Sequence, residues 1–171
     1  RAYDNIFHDA LLQKLPLIYC MDRAGIVGPD GPTHHGVFDI AFMRSLPDMI
    51  VTAPKDGNEL RNLLATALNS KRNFSIRYPK DSSRIFDMDL EPVVIEIGKW
   101  EILHKGITSA VLAVGSMVGM IMDNKDTIYK SLGYLPTIVN ARFIKPLDKD
   151  LLMTLCENNE NIITIEEGAL N

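Results

Sequence analysis

The residues best equipped for chemistry lie in one loop, GIVGPDGPTHHGVFD, at 25–39, which holds four glycines, two prolines, two histidines and two aspartates. The loop follows the apolar run LPLIYCM, and in open α/β sheets ligands collect outside the carboxyl ends of the strands, where such a loop lies. Loops of this length are generally functional or disordered, although a Gly/Pro-rich crossover with surface histidines fits the composition as well. The glycines do not spell a nucleotide cradle. No Lys-Ser/Thr pair follows them as a Walker A loop requires, and the spacing is not the dinucleotide fingerprint. His34 and His35 are adjacent, so on extended backbone their side chains point to opposite sides and a paired metal chelate is disfavoured. Asp30 followed by Gly-Pro-Thr-His offers a carboxylate acceptor and an imidazole that can act as acid or base near neutrality.

Charges at other strand ends complete the inventory. Arg23 follows Asp22 where the first apolar run stops, and the pair reads either as a structural salt bridge or as an anion contact. In RYPK, Arg77 and Lys80 also close a strand, where cations hold phosphate; a solvated linker edge is the alternative. Glu166-Glu167-Gly168 ends the last strand and reads equally as an interface acid or a plain turn.

Alternating helix-period and strand-period segments must position these groups. Residues 2–14 place Ile6, Ala10 and Leu11 on one face of a helix that ends before Pro16. Buried strands are expected at 15–21, 49–54, 74–78 and 108–115, an edge strand at 99–106, and further strands at 136–144 and 161–167. Helices are expected at 117–132 and 148–158, and another after Asp56, with Asp56 as its cap and Glu59 at the reciprocal capping-box position. Met117, Met120, Met122 and Tyr134 read as core of the second half. Residues 79–92 lose periodicity and gain Pro, Ser and Asp. The expected fold is therefore α/β, two three-layer modules with mainly parallel sheets, both incomplete. Their bounds are 1–80 and 96–171, with a linker at 81–95.

The chain has 171 residues, with 18 Lys+Arg against 22 Asp+Glu and a formal net charge of −4. That balance offers no basic surface for nucleic acid. Hydrophobic residues at 46% and charged residues at 23% match a folded globular domain. Cys20 and Cys156 each sit in an apolar run and read as core fillers of a reducing compartment. No apolar stretch approaches the ~20 residues that span a bilayer, and no signal peptide opens the chain, so no membrane association and a cytoplasmic or plastid-stromal address are expected. The chain starts at Arg1 in mid-helix and stops at Asn171 after a turn, which reads as a fragment.

The strings RAYDNIFHDALLQKLP (1–16), MDRAGIVGPDGPTHHGVFDIAFMRSLPDMIVTAPKDGNELRNLLATAL (21–68), RYPKD (77–81), ARFIKPLDKDLL (141–152) and ITIEEGAL (163–170) occur together and in this order. This combination resembles the deoxyxylulose-phosphate synthase family of transketolase-like thiamine diphosphate enzymes, over essentially the whole chain. GPTH alone is less specific, since transketolases and 2-oxo-acid dehydrogenase β subunits carry related loops; a split transketolase half or such a β subunit is the alternative. The resemblance implies a pyrimidine-domain part followed by a C-terminal-domain part. It also implies condensation of pyruvate with D-glyceraldehyde 3-phosphate, with loss of CO2, to 1-deoxy-D-xylulose 5-phosphate. Thiamine diphosphate and Mg2+ are the implied cofactors, with the cofactor supplying the carbanion chemistry, and a homodimer is the implied assembly. Carried over by position, Arg1, Arg23 and Lys80 are implied phosphate contacts. Asp30 and His34 are implied to bind the acceptor's hydroxyl or aldehyde and to assist proton transfer. Many members carry Arg where this chain has Lys80, exchanging a bidentate fork for a point charge. The family's cofactor-activating glutamate has no counterpart here and is expected upstream, so the 171 residues alone are expected not to turn over. A non-catalytic module with an assembly loop is a third reading, one that predicts no effect of Asp30→Ala or His34→Ala.

Overall fold

The computed structural model describes residues 2–83 and 85–169. Two four-stranded sheets carry the chain, mostly parallel and flanked by helices, so the α/β expectation holds. The first sheet has the order β1 (Ile18–Met21), β3 (Phe74–Arg77), β2 (Ile50–Thr52), β7 (Phe143–Lys145). Its first three strands are parallel, with Ile18 and Ile50 both in register with Phe74. The second sheet has the order β4 (Glu101–His104), β6 (Thr137–Asn140), β5 (Ser109–Ala113), β8 (Asn161–Ile165). β5 runs parallel to both neighbours, and β4 is an antiparallel edge.

Before β1, α1 (Ala2–Asn5) runs on as a π-helical coil, Ile6–Leu11. The face expected from the sequence turns inward: Ala10 is buried, and Ile6 and Leu11 pack beside Met43, Leu46 and Val51. The remaining helices are α2 (Asp39–Ser45), α3 (Gly57–Ser70), α4 (Met117–Asp123), α5 (Lys125–Leu132) and α6 (Lys149–Asn158). No helix among the described residues is long and apolar enough to cross a membrane.

Several local expectations are corrected. The run 136–144 is not one strand. Ala141 N–H still donates to Ala113 O in the second sheet (2.9 Å), whereas Arg142 O accepts from Ala53 N–H in the first (3.0 Å). The chain thus changes sheets between two residues, and β7 adds antiparallel to β2. One core follows from this, joining Phe74, Ile76 and Leu63 to Leu112, Val139 and Phe143. The Phe74 and Phe143 rings meet edge-on at 6.4 Å. The expected helix 117–132 breaks at Asn124, whose side-chain amide donates to Met120 O (2.8 Å), a local bond that competes with the helical ladder. Asp56 caps α3 through Glu59 N–H (2.8 Å) as anticipated. Glu59 does not return to the cap residue. It accepts from Lys55 N–H (2.7 Å) and from Asn140 Nδ2 (2.8 Å), drawn into a polar junction between the sheets. β1 is a half-buried edge strand and not doubly covered, which leaves Cys20 exposed. Cys156 is exposed as well, so neither thiol fills a core. Met120 is likewise on the surface, while Met117 and Met122 do pack against the second core.

Candidate functional site

β1 and β3 are neighbours, so the segments leaving their carboxyl ends are neighbours too. Tyr78 N–H donates to Met21 O (2.9 Å) and Ala24 N–H to Tyr78 O (3.0 Å), extending the ladder past both strands and laying Arg23 beside RYPK. The loop then leaves the sheet and returns to itself. Gly25 and Gly36 exchange two backbone hydrogen bonds, each 2.9 Å, closing a neck around residues 26–35. Both neck residues must be glycine. Gly25 sits at φ +75°, and a Cβ on Gly36 would lie 2.3 Å from Arg23 O.

Inside the loop, Pro32–His34 forms one 3-10 turn. His35 turns inward and its Nδ1 accepts from Val27 N–H (3.0 Å), which puts the proton of the neutral ring on Nε2. His34 ends that 3-10 turn and does not lie on the extended backbone expected from sequence; it is exposed and shares a hydrogen bond with Thr33 Oγ1 (3.0 Å). The two histidines therefore divide their duties, one bracing the loop and one facing out.

Three of the residues singled out from sequence converge. Arg23 Nε donates to Asp30 (2.7 Å), and Lys80 Nζ reaches both Asp30 oxygens at 2.6 and 2.9 Å. Asp22 pairs with the other side of the Arg23 guanidinium. The hydrogen bond from Lys80, then that from Arg23, hold the Asp30 carboxyl below the usual carboxylate range. Near neutrality Asp30 is thus an acceptor, not a proton donor. Asp30, followed by Asp22, pushes Arg23 further up. Two half-exposed cations stand over one carboxylate, an arrangement suited to exchange an internal anion for an external one. Arg1 lies outside the described residues, and His34 is on the same loop without joining this cluster.

Arg77 departs from both sequence readings. It is 2% exposed and donates through Nε to the buried Asp39 (2.7 Å) and through a terminal nitrogen to Gly36 O (3.4 Å). It braces α2 and the loop neck from within and offers nothing to solvent. The available signal was its place in a strand between two others, where every residue is buried.

Sequence reasoning left Glu167 undecided, and the structure makes it an interface acid. It leaves β8 in the second sheet, accepts from Ser116 Oγ (2.7 Å) and lies against Gly25. A pocket of about 130 Å³ opens past the ends of β2 and β3, lined in part by Lys55, Tyr78, Ser83 and Ser116. Arg23, Asp30, His34 and Lys80 do not line it. Among the described residues no group of three His, Cys, Asp or Glu side chains could hold a metal ion. The carboxylates Asp22 and Asp30 are held by Arg23 and Lys80, an arrangement that suits an anion and does not fit a resident Mg2+.

A strand-end loop braced by a second, largely parallel sheet defines an α/β protein of two joined modules. The family comparisons agree: residues 1–85 match the transketolase pyrimidine binding domain and residues 98–171 the transketolase C-terminal domain. The chain belongs to the transketolase family. Within it, similar curated relatives are 1-deoxy-D-xylulose-5-phosphate synthases. That of Syntrophus aciditrophicus is 46% identical over 99% of this chain and 26% of its own length. That of Dictyoglomus thermophilum is 48% identical over 99% and 27%. The chain thus spans about a quarter of the length of the curated relatives it matches. Among solved structures, a split-gene transketolase, described as an inactive beta4 tetramer, superposes with TM-score 0.84 at 25% identity, covering 98% of this chain and 54% of the other. The transketolase of Campylobacter jejuni shares the fold, with TM-score 0.61 and 18% identity over 87% of this chain and 27% of its own.

Proposed function

We propose that the whole protein to which this chain belongs condenses pyruvate with D-glyceraldehyde 3-phosphate, losing CO2, to give 1-deoxy-D-xylulose 5-phosphate. The observation that carries the reading is the convergence of Arg23 and Lys80 on Asp30 at the ends of β1 and β3. It is supported by relatives of that name at 43–48% identity along nearly the whole chain. In this reading residues 1–80 are the later part of the pyrimidine domain, 81–95 a linker and 96–171 the earlier part of the C-terminal domain. The functional unit is a homodimer. Thiamine diphosphate supplies the carbanion chemistry when bound, and the diphosphate's Mg2+ belongs to parts of the protein beyond these residues. The 171 residues alone neither bind the cofactor tightly nor turn over.

This chain's own residues serve the acceptor. Its phosphate displaces Asp30 from Lys80 and Arg23, so the two cations pass from an internal carboxylate to the substrate. Asp30, released and still ionised, accepts from the acceptor's hydroxyl. Arg1 completes the phosphate site. His34, exposed at the loop's outer face, delivers a proton to the oxygen that becomes the product's new hydroxyl.

The test follows CO2 release from pyruvate by the whole protein with Mg2+ and thiamine diphosphate, with and without D-glyceraldehyde 3-phosphate, and weighs the product. Acceptor-dependent CO2 release with a five-carbon deoxyketose phosphate is the expected result. Two-carbon transfer from a ketose phosphate, with no reaction of pyruvate, overturns it in favour of a transketolase.

A further inference from the structure

The loop that carries Asp30 and His34, with Arg23 just before it, is held at its base from the other sheet. The position a Cβ on Gly25 would take lies 2.8 Å from Glu167 Cδ and 2.9 Å from Glu167 Cβ, so that side chain rests on the glycine's bare α-carbon. Glu167 is itself fixed, because Oε2 accepts from Ser116 Oγ at the start of α4 (2.7 Å). Two residues on, Ala169 N–H donates to Val37 O (2.9 Å), just past the other end of the neck. One turn after β8 therefore touches both sides of a neck made of only two backbone hydrogen bonds. Arg77 supports the same neck from β3. By contrast, the hydrogen bonds made by Val27, Thr33, His34 and His35 stay within the loop, and Asp30 ties its tip to the strand ends through Lys80 and Arg23.

We propose that Glu167, seated by Ser116, is a positioning residue. It clamps the Gly25–Gly36 neck from the second sheet and so sets where Arg23 and Asp30 stand relative to Lys80. The consequence for catalysis rests on the function proposed above; the clamp itself does not. The physical argument is one of lever arms. Arg23 is two residues from the clamped glycine and occupies a left-handed conformation, φ +62°. Loss of the clamp frees a strained turn directly under the guanidinium. Correct placement of a charged group within about 0.5 Å is what a binding site requires.

The experiment uses the whole protein with Glu167→Ala, Ser116→Ala and Glu167→Gln, and with Glu160→Gln as a distant control. Hydrogen–deuterium exchange of the amides around Gly25 and Gly36, read without substrate, tests the clamp directly. Glu167→Ala and Ser116→Ala are expected to speed that exchange about tenfold, as befits loss of one hydrogen bond to a charged acceptor. Exchange in β2 and β5 stays unchanged. Glu167→Gln keeps an oxygen for the serine hydroxyl and stays near the parent value. In turnover, the alanine variants raise the KM for the phosphorylated acceptor about tenfold with kcat within a factor of about three, and Gln restores it. Unchanged exchange at the neck overturns the proposal, and so does acceleration spread evenly over both sheets, which marks a fold-wide role. Faster neck exchange in an enzyme that does not form the deoxyketose phosphate supports the clamp and sinks only the functional reading. Should Glu167→Ala not fold, Ser116→Ala and Glu167→Gln decide the matter by the same readings.

Discussion

Replacing Lys80 with methionine probes whether the Arg23–Asp30–Lys80 cluster is a phosphate site or a surface salt bridge. Lys80 Nζ contacts both oxygens of Asp30, at 2.6 and 2.9 Å, and its side chain is 47% exposed. A phosphate entering here exchanges with a carboxylate already in place, so Lys80 contributes only the difference between two charge-assisted bonds. One hydrogen bond to a charged group is worth about 1.5–3 kcal/mol, and exposure places Lys80 at or below the lower end, at about 1–2 kcal/mol. That corresponds to a 5- to 30-fold change in affinity, roughly. The assay is steady-state turnover of the whole protein with D-glyceraldehyde 3-phosphate and, separately, with D-glyceraldehyde. Lys80→Met should raise the KM for the phosphorylated acceptor by about that factor and leave the other nearly unchanged, and Lys80→Arg should match or improve on the parent through its bidentate fork. Asp30→Asn supplies the opposite sign. Removing the competing carboxylate frees Lys80 and leaves Arg23 paired with Asp22 alone, so inorganic phosphate should inhibit more strongly even as turnover falls. An equal loss with both acceptors, or weaker phosphate inhibition in Asp30→Asn, refutes the exchange.

Two further expectations concern buried charge. Asp39→Ala strands the Arg77 guanidinium, 2% exposed, without its carboxylate. Breaking such a pair costs about 3–5 kcal/mol, whereas replacing both members with apolar residues is close to neutral. The Tm of the whole protein and the exchange of its α2 amides should therefore fall sharply in the single variant and recover in Asp39→Leu/Arg77→Met; no recovery refutes the pairing. Glu59 titrates in the opposite sense to Asp30. Burial pushes its carboxyl up, against the opposing pull of Lys55 and Arg142. The folded chain then holds a proton that the unfolded chain has released, and its stability falls as pH rises from the ordinary glutamate range through the raised value. Glu59→Gln should remove that slope from a Tm-against-pH series starting near pH 4, and a slope unchanged in the variant shows that other groups cause it.

What the sequence made legible was mostly what local rules control. The strand and helix alternation, the Asp56 cap and the aperiodic stretch after Tyr78 all follow from periodicity and turn chemistry. Arg23 and Lys80 stood out as cations at strand ends and Asp30 as a carboxylate of the Gly/Pro-rich loop, and the fold brings the three together. The failures came where position across the sheet decides the environment. Arg77 and Lys80 look alike in RYPK, yet Arg77 still belongs to a strand covered on both sides and must find Asp39. Lys80 is past the sheet and faces water. Cys20 looks like core in an apolar run, but its strand is an edge. The run 136–144 is strand-like on both sides of Arg142 and carries buried polar residues as well, Thr137 and Asn140, so nothing in its pattern marks the residue at which it leaves one sheet for the other.

That change of sheets bears directly on the site. The first sheet alone supplies the loop, its two cations and the buried Arg77–Asp39 brace. β7 joins that sheet to the second through backbone hydrogen bonds and a shared core around Phe74 and Phe143. Only because the two sheets are fixed to each other can Glu167, at the end of β8, press on a glycine at the end of β1. A hinge at 79–95 that allowed the halves to move as separate bodies would carry the clamp away from the neck. β7 and Glu167 should therefore act as one unit. Phe143→Ala, expected to cost about 3–5 kcal/mol as a large-to-small change in a packed core, should raise exchange at Gly25 and Gly36 as well as at β7. Once the Glu167 clamp is already lost, the same change should add little at the neck. Full additivity at the neck would show that the two sheets hold the loop by independent routes.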